Sequence, residues 1–248
     1  MLLVHQVDAS GDFRRPHHVP TGEVFQDAVT IAIQSEVLIA ATIEIVVKSG
    51  IDAALGDGSG DDLLGADLLS FSLSDVNFFA GSGGVLDAVS DPSRPVISAP
   101  AGAVGILALG GSLDLRILSG GTVGGVASLE SYTGITGSLA GFSLEGVSGL
   151  TIALTDLAFA SNTTTATDGL GGAAGTGALV DWSTLSDVDG RLALDAGTAL
   201  SVSGALTIEI SGFVLVAATF GFAQQSGIDA ALGDGSGDDL LGADLLSF

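Results

Sequence analysis

Apolar and polar positions alternate along most of this chain. Val29, Ile31 and Ile33 are separated by smaller or polar residues, and the alternation resumes between residues 37 and 47. The same pattern returns late in the chain, between residues 206 and 222. Alternation with a period of two places every second side chain on one face of a β-strand. The pattern therefore predicts an all-β fold, either an antiparallel β-sandwich or an elongated β-solenoid-like repeat module.

Further strands are predicted between turn signals, at residues 68–76, 104–109, 112–118, 122–131, 138–144 and 150–160. In the last of these segments the apolar positions change phase near Thr155 and Asp156, which predicts a β-bulge. The glycine pairs Gly110-Gly111, Gly120-Gly121 and Gly124-Gly125 are predicted turns. Few helices are expected, and the two segments that favour short ones are residues 63–69 and 183–188.

A 23-residue segment, SGIDAALGDGSGDDLLGADLLSF, occurs at Ser49–Phe71 and again, 177 residues later, at Ser226–Phe248 without a difference. The similarity begins earlier, because nine of 25 positions are identical between residues 24–48 and 201–225. We therefore predict one β-rich repeat unit over residues 24–200 and the beginning of a second, truncated unit over residues 201–248. Residues 1–23 have no counterpart and are expected to form a disordered leader or linker. We expect Phe248 to be an interior position of a longer repetitive protein.

The charge of the chain limits its partners. It has 29 acidic and six basic residues, which gives a net charge of −23. Such a surplus repels phosphate backbones, so nucleic acid is excluded as an expected partner. The apolar runs are shorter than the roughly 18 residues of a transmembrane helix, so a membrane is not an expected partner either. The chain has no cysteine, so neither a disulfide nor a thiolate metal site holds it together.

The acidic part of the repeat contains the candidate ligands. Gly58, Gly60, Asp62 and Leu64 fit the spacing G-x-G-x-D-x-L of calcium-binding nonapeptide turns, in which carboxylates and carbonyls supply hard oxygen ligands. In this spacing the segment resembles the repeats-in-toxin family. The resemblance implies a calcium site in each copy, with the candidate ligands Asp57, Asp61, Asp62, Asp67, Asp234, Asp238, Asp239 and Asp244. A solvated acidic turn between strands explains the same residues, and both interpretations stay open.

Catalytic motifs are absent from the sequence. All three histidines lie within the first 18 residues, and there is neither a Gly-x-Ser-x-Gly elbow nor a phosphate-binding loop with its lysine. Residues 169–174 match a dinucleotide fingerprint only in spacing, because they follow a polar run instead of a strand. Trp182 and Tyr132 are expected in the core or at its rim and not as a platform for sugar. We therefore predict no enzyme activity, no catalytic or cofactor-binding residues and no cofactor other than calcium.

Three longer segments have a common texture. LLGADLLSFSLSDVNFFAG, ITGSLAGFSLEGVSGLTIALTDLAFAS and VSGALTIEISGFVLVAATFGF resemble the Gly/Asp-rich modules of giant repetitive bacterial surface proteins, the repeats-in-toxin-like adhesins. The resemblance implies a secreted or cell-surface structural or adhesive module, although the first 20 residues show no signal peptide. Its expected partners are neighbouring copies of the same repeat and a surface ligand. Two other functions stay open: a β-rich lipid-binding or membrane-associated module, and a self-assembling filament or layer subunit.

Overall fold

A computed structural model describes residues 2–7, 24–33, 36–56, 62–87, 95–165, 178–185, 192–231 and 239–248. These residues form fifteen β-strands and one short 3-10 helix, Trp182–Thr184. The all-β prediction is therefore confirmed.

The strands, in chain order, are β1 (Leu2–Val7), β2 (Val24–Ile33), β3 (Val37–Leu55), β4 (Leu63–Ser82), β5 (Val85–Asp87), β6 (Val96–Ser98), β7 (Val104–Ser119), β8 (Thr122–Val123), β9 (Val126–Ala127), β10 (Ser131–Glu145), β11 (Leu150–Thr164), β12 (Val180–Asp181), β13 (Thr198–Ile210), β14 (Val214–Ala231) and β15 (Asp239–Ser247).

Ten of these strands lie side by side in one large sheet, in the order β1-β2-β3-β4-β7-β10-β11-β13-β14-β15. Every neighbouring pair in the row is antiparallel. The sheet is therefore an up-and-down meander, because each strand returns beside the long strand that precedes it. Among the short strands, β12 pairs with β3, β8 pairs with β4 and β9, and β5 and β6 form a separate ribbon.

The two copies of the repeat pair in the same way. Strands β2, β3 and β4 correspond in sequence to β13, β14 and β15, and the registers of the two sets agree pair by pair. The equivalent pairs are Val24↔Val46 and Ser201↔Ala223, Lys48↔Leu68 and Gln225↔Leu245, Ile51↔Ala66 and Ile228↔Ala243, and Ala53↔Leu63 and Ala230↔Leu240. Six long strands, from β2 to β11, thus precede the point at which the pattern starts again at β13.

Some local irregularities of the strands are those that the sequence predicts. Asp156 has a positive φ of 53°, and the register between β11 and β13 shifts between Thr155 and Ala158, which confirms the predicted bulge. Gly124 and Gly125 both have positive φ, as the two-residue turn between β8 and β9 requires.

Three local predictions are wrong. Gly110-Gly111 lies within β7 and is not a turn, and residues 63–69 begin β4 instead of forming a helix. In these two places the segment pairs with a strand on either side, and these ladders outweigh the local preference for a turn or a helix. The predicted strand over residues 122–131 is instead the short hairpin of β8 and β9, because the turn at Gly124-Gly125 interrupts it. The second predicted helix overlaps the 3-10 helix at Trp182–Thr184, whereas residues 186–188 lie outside the described part of the chain.

One face of the sheet carries the main buried cluster. Leu68, Leu118 and Tyr132 lie opposite one another on β4, β7 and β10, and each is at most 1% exposed. The connection between β11 and β13 folds back over these strands and adds Trp182 and Leu192 to the cluster. We call its described residues, 178–185 and 192–195, the cover segment. Of the two places predicted for Trp182 and Tyr132, core or rim, the structure gives the core for both.

The first strand lies within the N-terminal segment that has no counterpart in the repeat. Leu2–Val7 pairs with β2 along its whole length. The pairing satisfies backbone donors and acceptors on the β2 edge, which accounts for strand formation there. Residues 8–23 lie outside the described part. No helix formed by the described residues is long and apolar enough to cross a membrane.

Candidate functional site

The acidic segments precede and begin β4 and β15. Asp62 immediately precedes β4, whereas Asp57 and Asp61 lie outside the described residues. The same is true of Asp234 and Asp238 in the second copy. Asp239 and Asp244 belong to β15, but their side chains are outside the described part. Of the candidate ligands, the structure therefore gives the surroundings of Asp62 and Asp67 only.

Asp62 and Asp67 are both exposed. They are five residues apart, and the β3–β4 register shifts between Leu63 and Ala66, so the strand between them is irregular. Within the described ranges no group of three acidic or histidine side chains comes together. Calcium binding stays a prediction, and it depends on Asp57 and Asp61 beside Asp62.

Another aspartate of the repeat has a structural contact that sequence reasoning missed. Asp52 Oδ1 accepts a hydrogen bond from the backbone N–H of Gly65 at 2.8 Å. Gly65 has a φ of 69°, in the left-handed region that favours glycine, and it stands where the β3–β4 register becomes irregular. The contact joins residues 13 positions apart, so no short motif reveals it. It gives one carboxylate of the segment a role in closing the β3–β4 hairpin.

A buried hydrogen-bond network fastens the cover segment to the sheet. Asn162 on β11 accepts a bond from Trp182 Nε1 at 2.9 Å and donates one to the carbonyl of Val180 at 2.8 Å. The Trp182 backbone N–H donates to the carbonyl of Leu194 at 2.9 Å. Because Asn162 and Trp182 are nearly fully buried, the network excludes water and fixes the indole in place.

Gly134 provides the space for that indole. A β-carbon at Gly134 would lie 2.6 Å from Trp182 Cε2 and 2.7 Å from Leu192 Cδ2. Such distances are far below van der Waals contact, so glycine is required here for packing. Trp182 therefore lies directly on the backbone of β10, and the described residues leave it unavailable as a platform for sugar.

Charged side chains are also present under the covered face. Asp114 and Arg116 are two residues apart on β7, opposite Ser72 and Ser70 of β4, and all four are buried. Asp114 Oδ1 makes no hydrogen bond to any described residue. Opposite charges at neighbouring buried positions are typical of a structural polar layer. Because both groups are shielded from solvent, they do not form a site that a soluble substrate reaches in this structure.

The opposite face of the sheet is apolar and lacks a buried cluster of its own. We call it the outer face and define it by ten aligned side chains that alternate with the buried ones. They are Ile43, Ile45, Val47, Leu69, Phe71, Leu73, Leu113, Leu115, Ile117 and Ile135. None of them belongs to either buried cluster, and Leu69 is 44% exposed. An apolar surface of this kind is a candidate for interaction.

A second candidate surface is the free edge of the sheet. Residues 62–71 and 239–248 are identical in sequence, but their neighbours differ. In the first copy, β4 pairs with β3 on one edge and with β7 and β8 on the other. In the second copy, β15 pairs with β14, and no other described strand lies beside it. Among the described strands, none pairs with the outward N–H and C=O groups of β15, which are of the kind that a further strand binds.

The described surface thus offers exposed aspartates beside β4, an apolar outer face and the outer edge of β15. Comparisons with protein-family models, with curated proteins and with solved structures find no match for this chain. Its own strand pairing and surface chemistry are therefore the basis for assigning a function.

Proposed function

We propose that this chain is a non-enzymatic structural or adhesive repeat module of a large secreted or cell-surface bacterial protein. The observation that supports it is the equal pairing of β2–β4 and of β13–β15. A unit contributes six long strands, an even number, so β13 runs in the same direction as β2. At about 4.8 Å between neighbouring strands, one unit widens the sheet by about 29 Å. Such a sheet extends by whole units, as a stalk or scaffold does.

The composition agrees with this role. A net charge of −23 keeps the exposed parts of neighbouring molecules apart and favours a well-solvated body. The chain has no cysteine, so its stability does not depend on the redox state of its surroundings. Stability comes instead from long strand ladders and from the cover segment.

The location of the protein tests this proposal. Antibodies raised against the full chain are applied to intact and to lysed cells of the organism that produces it, and protease is added to intact cells in parallel. We expect labelling of intact cells or of the medium, and loss of the labelled material after protease treatment. A cytosolic protein of the same cells is the control for leakage. Labelling that requires lysis would contradict the proposal.

A second candidate function, a lipid-binding module, is favoured by the outer face. Its side chains are apolar across β3, β4, β7 and β10, and no charged residue interrupts the ten aligned positions. Flotation with vesicles of a zwitterionic lipid tests this function. Binding that is lost in Leu69→Glu and kept in Leu129→Glu would favour it, since Leu129 is 97% exposed but lies outside the outer face. Absence of flotation would remove it.

A further inference from the structure

The free edge of β15 has an equivalent inside the same molecule. Residues 62–71 and 239–248 have the same sequence, and both pair with the preceding strand in the same register. In the first copy the other edge of this sequence is occupied. Asp67 to Phe71 pair with Ser119 to Leu115 of β7, and Leu63 and Leu64 pair with Val123 and Thr122 of β8. The molecule therefore shows which strand fits this edge.

We propose that the β15 edge binds a strand with the sequence of β7 and β8, contributed by a further copy of the repeat. By the equivalence, Asp244 to Phe248 would pair with residues equivalent to Ser119 to Leu115. Leu240 and Leu241 would pair with the equivalents of Val123 and Thr122. This inference names the partner of the proposed repeat module and rests on that proposed function.

Side-chain burial supports the same partner. Leu68 is 1% exposed in β4, where it faces Leu118 of β7. Its equivalent Leu245 is 48% exposed, although β15 pairs with β14 in the same register in which β4 pairs with β3. A β7-like strand would place a leucine beside Leu245, as Leu118 lies beside Leu68. The backbone ladder would give affinity and the leucine pair would help to fix the register.

Peptide binding to the full chain tests the inference. The probe is a synthetic peptide of residues 113–127, LDLRILSGGTVGGVA. Because the chain has no cysteine, Phe248→Cys accepts a single environment-sensitive dye beside the free edge. The control is the same dye on Leu129→Cys, a fully exposed position away from β15. We expect a saturable change in emission at position 248 and none at position 129.

A peptide with Ile117→Pro keeps the composition nearly unchanged but cannot complete the ladder. We expect it to bind about fivefold more weakly, because one hydrogen bond is worth about 1 kcal/mol and a tenfold change is 1.4 kcal/mol. The inference would be overturned if the proline peptide or a scrambled peptide gave the same change in emission as the original peptide. It would also be overturned if the dye at position 129 responded as the dye at position 248 does. The absence of a saturable change at position 248 would overturn it as well.

Hydrogen exchange gives an independent measurement. Bound peptide should slow amide exchange in residues 239–247. The fragments followed must begin before Ser226, since shorter ones have the same mass in both copies. Unchanged exchange at saturating peptide would also overturn the inference. If the peptide fails to bind while the protein is found at the cell surface, the edge proposal alone fails. If the peptide binds but the protein is cytosolic, the proposed function fails instead.

Discussion

The two copies of the ten-residue sequence DLLGADLLSF differ in their surroundings and not in their pairing with the preceding strand. In residues 62–71, the strand lies inside the sheet, and Leu68 is 1% exposed. In residues 239–248, the strand is at the edge, and Leu245 is 48% exposed. Identical residues therefore contribute very differently to stability. What differs is the next strand and the cover segment, which the first copy has and the second lacks among the described residues.

The largest expected effect is the difference in stability loss between alanine substitutions of Leu68 and Leu245. Leu68→Ala should lower the free energy of unfolding by about 3 kcal/mol, because it leaves a cavity against Leu118 and Tyr132. Leu245→Ala, the same change in the same local sequence, should cost no more than about 0.5 kcal/mol. Urea unfolding of both variants measures the difference. Equal losses would show that the two copies have the same environment in solution.

The cover segment is the next point at which the copies can be compared. Gly134→Ala should destabilise the protein by about 2 kcal/mol, because the new methyl group meets Trp182 and Leu192. Gly141→Ala is the matched control in the same strand, since nothing lies within 4 Å of its added carbon. The thermal midpoint of each variant is the measurement. A neutral Gly134→Ala would mean that Trp182 does not rest on β10.

The hydrogen bonds of the cover should have a smaller effect. Asn162→Ala leaves Trp182 Nε1 and the Val180 carbonyl without their partner, which should cost about 1.5 kcal/mol. Asn77→Ala makes the same change where the bonds are exposed, and about 0.5 kcal/mol is expected. Trp182 fluorescence, from the only tryptophan in the chain, should shift to longer wavelength in the first variant alone. An unchanged spectrum would contradict the proposed contact.

Calcium should have the smallest effect, and it sharpens the comparison of the two acidic segments. If a site has a dissociation constant of about 1 mM, then 10 mM calcium stabilises the fold by about 1.4 kcal/mol. For a chain of this length the thermal midpoint should rise by roughly 3–5 °C relative to chelator. Asp62→Asn should remove more of this rise than Asp239→Asn, because Asp62 adjoins Leu63, which belongs to the buried cluster. A change below about 1 °C, or an equal one with magnesium, would exclude the site.

Local patterns account for much of the fold. Alternation predicted the long strands, and the change of phase near Thr155 predicted the bulge at Asp156. The apolar spacing of Leu63, Leu64 and Leu68 also fits a helix, and only pairing with β3 and β7 decides for a strand. Gly110-Gly111 likewise fits a turn when only its local sequence is considered. It belongs to β7 because the strand pairs with segments that are distant in sequence.

The candidate site was less accessible to sequence reasoning. Aspartate spacing suggested ligands. It did not show that Asp62 precedes β4 whereas Asp67 lies within that strand. The contacts of the cover segment join Trp182 to Gly134 and Asn162, and none of these residues belongs to a motif. Such contacts depend on how a connection folds over the sheet, which periodicity does not specify.

An even number of strands in each unit has a consequence for how such a protein changes over generations. Gain or loss of one whole unit by recombination between identical segments leaves every remaining strand with its original direction. The neighbours at the new junction are also the same pairs as before, because both copies use one register. The number of units can then vary without any compensating substitution. The length of the molecule would change in steps of one unit, and selection would act on that length.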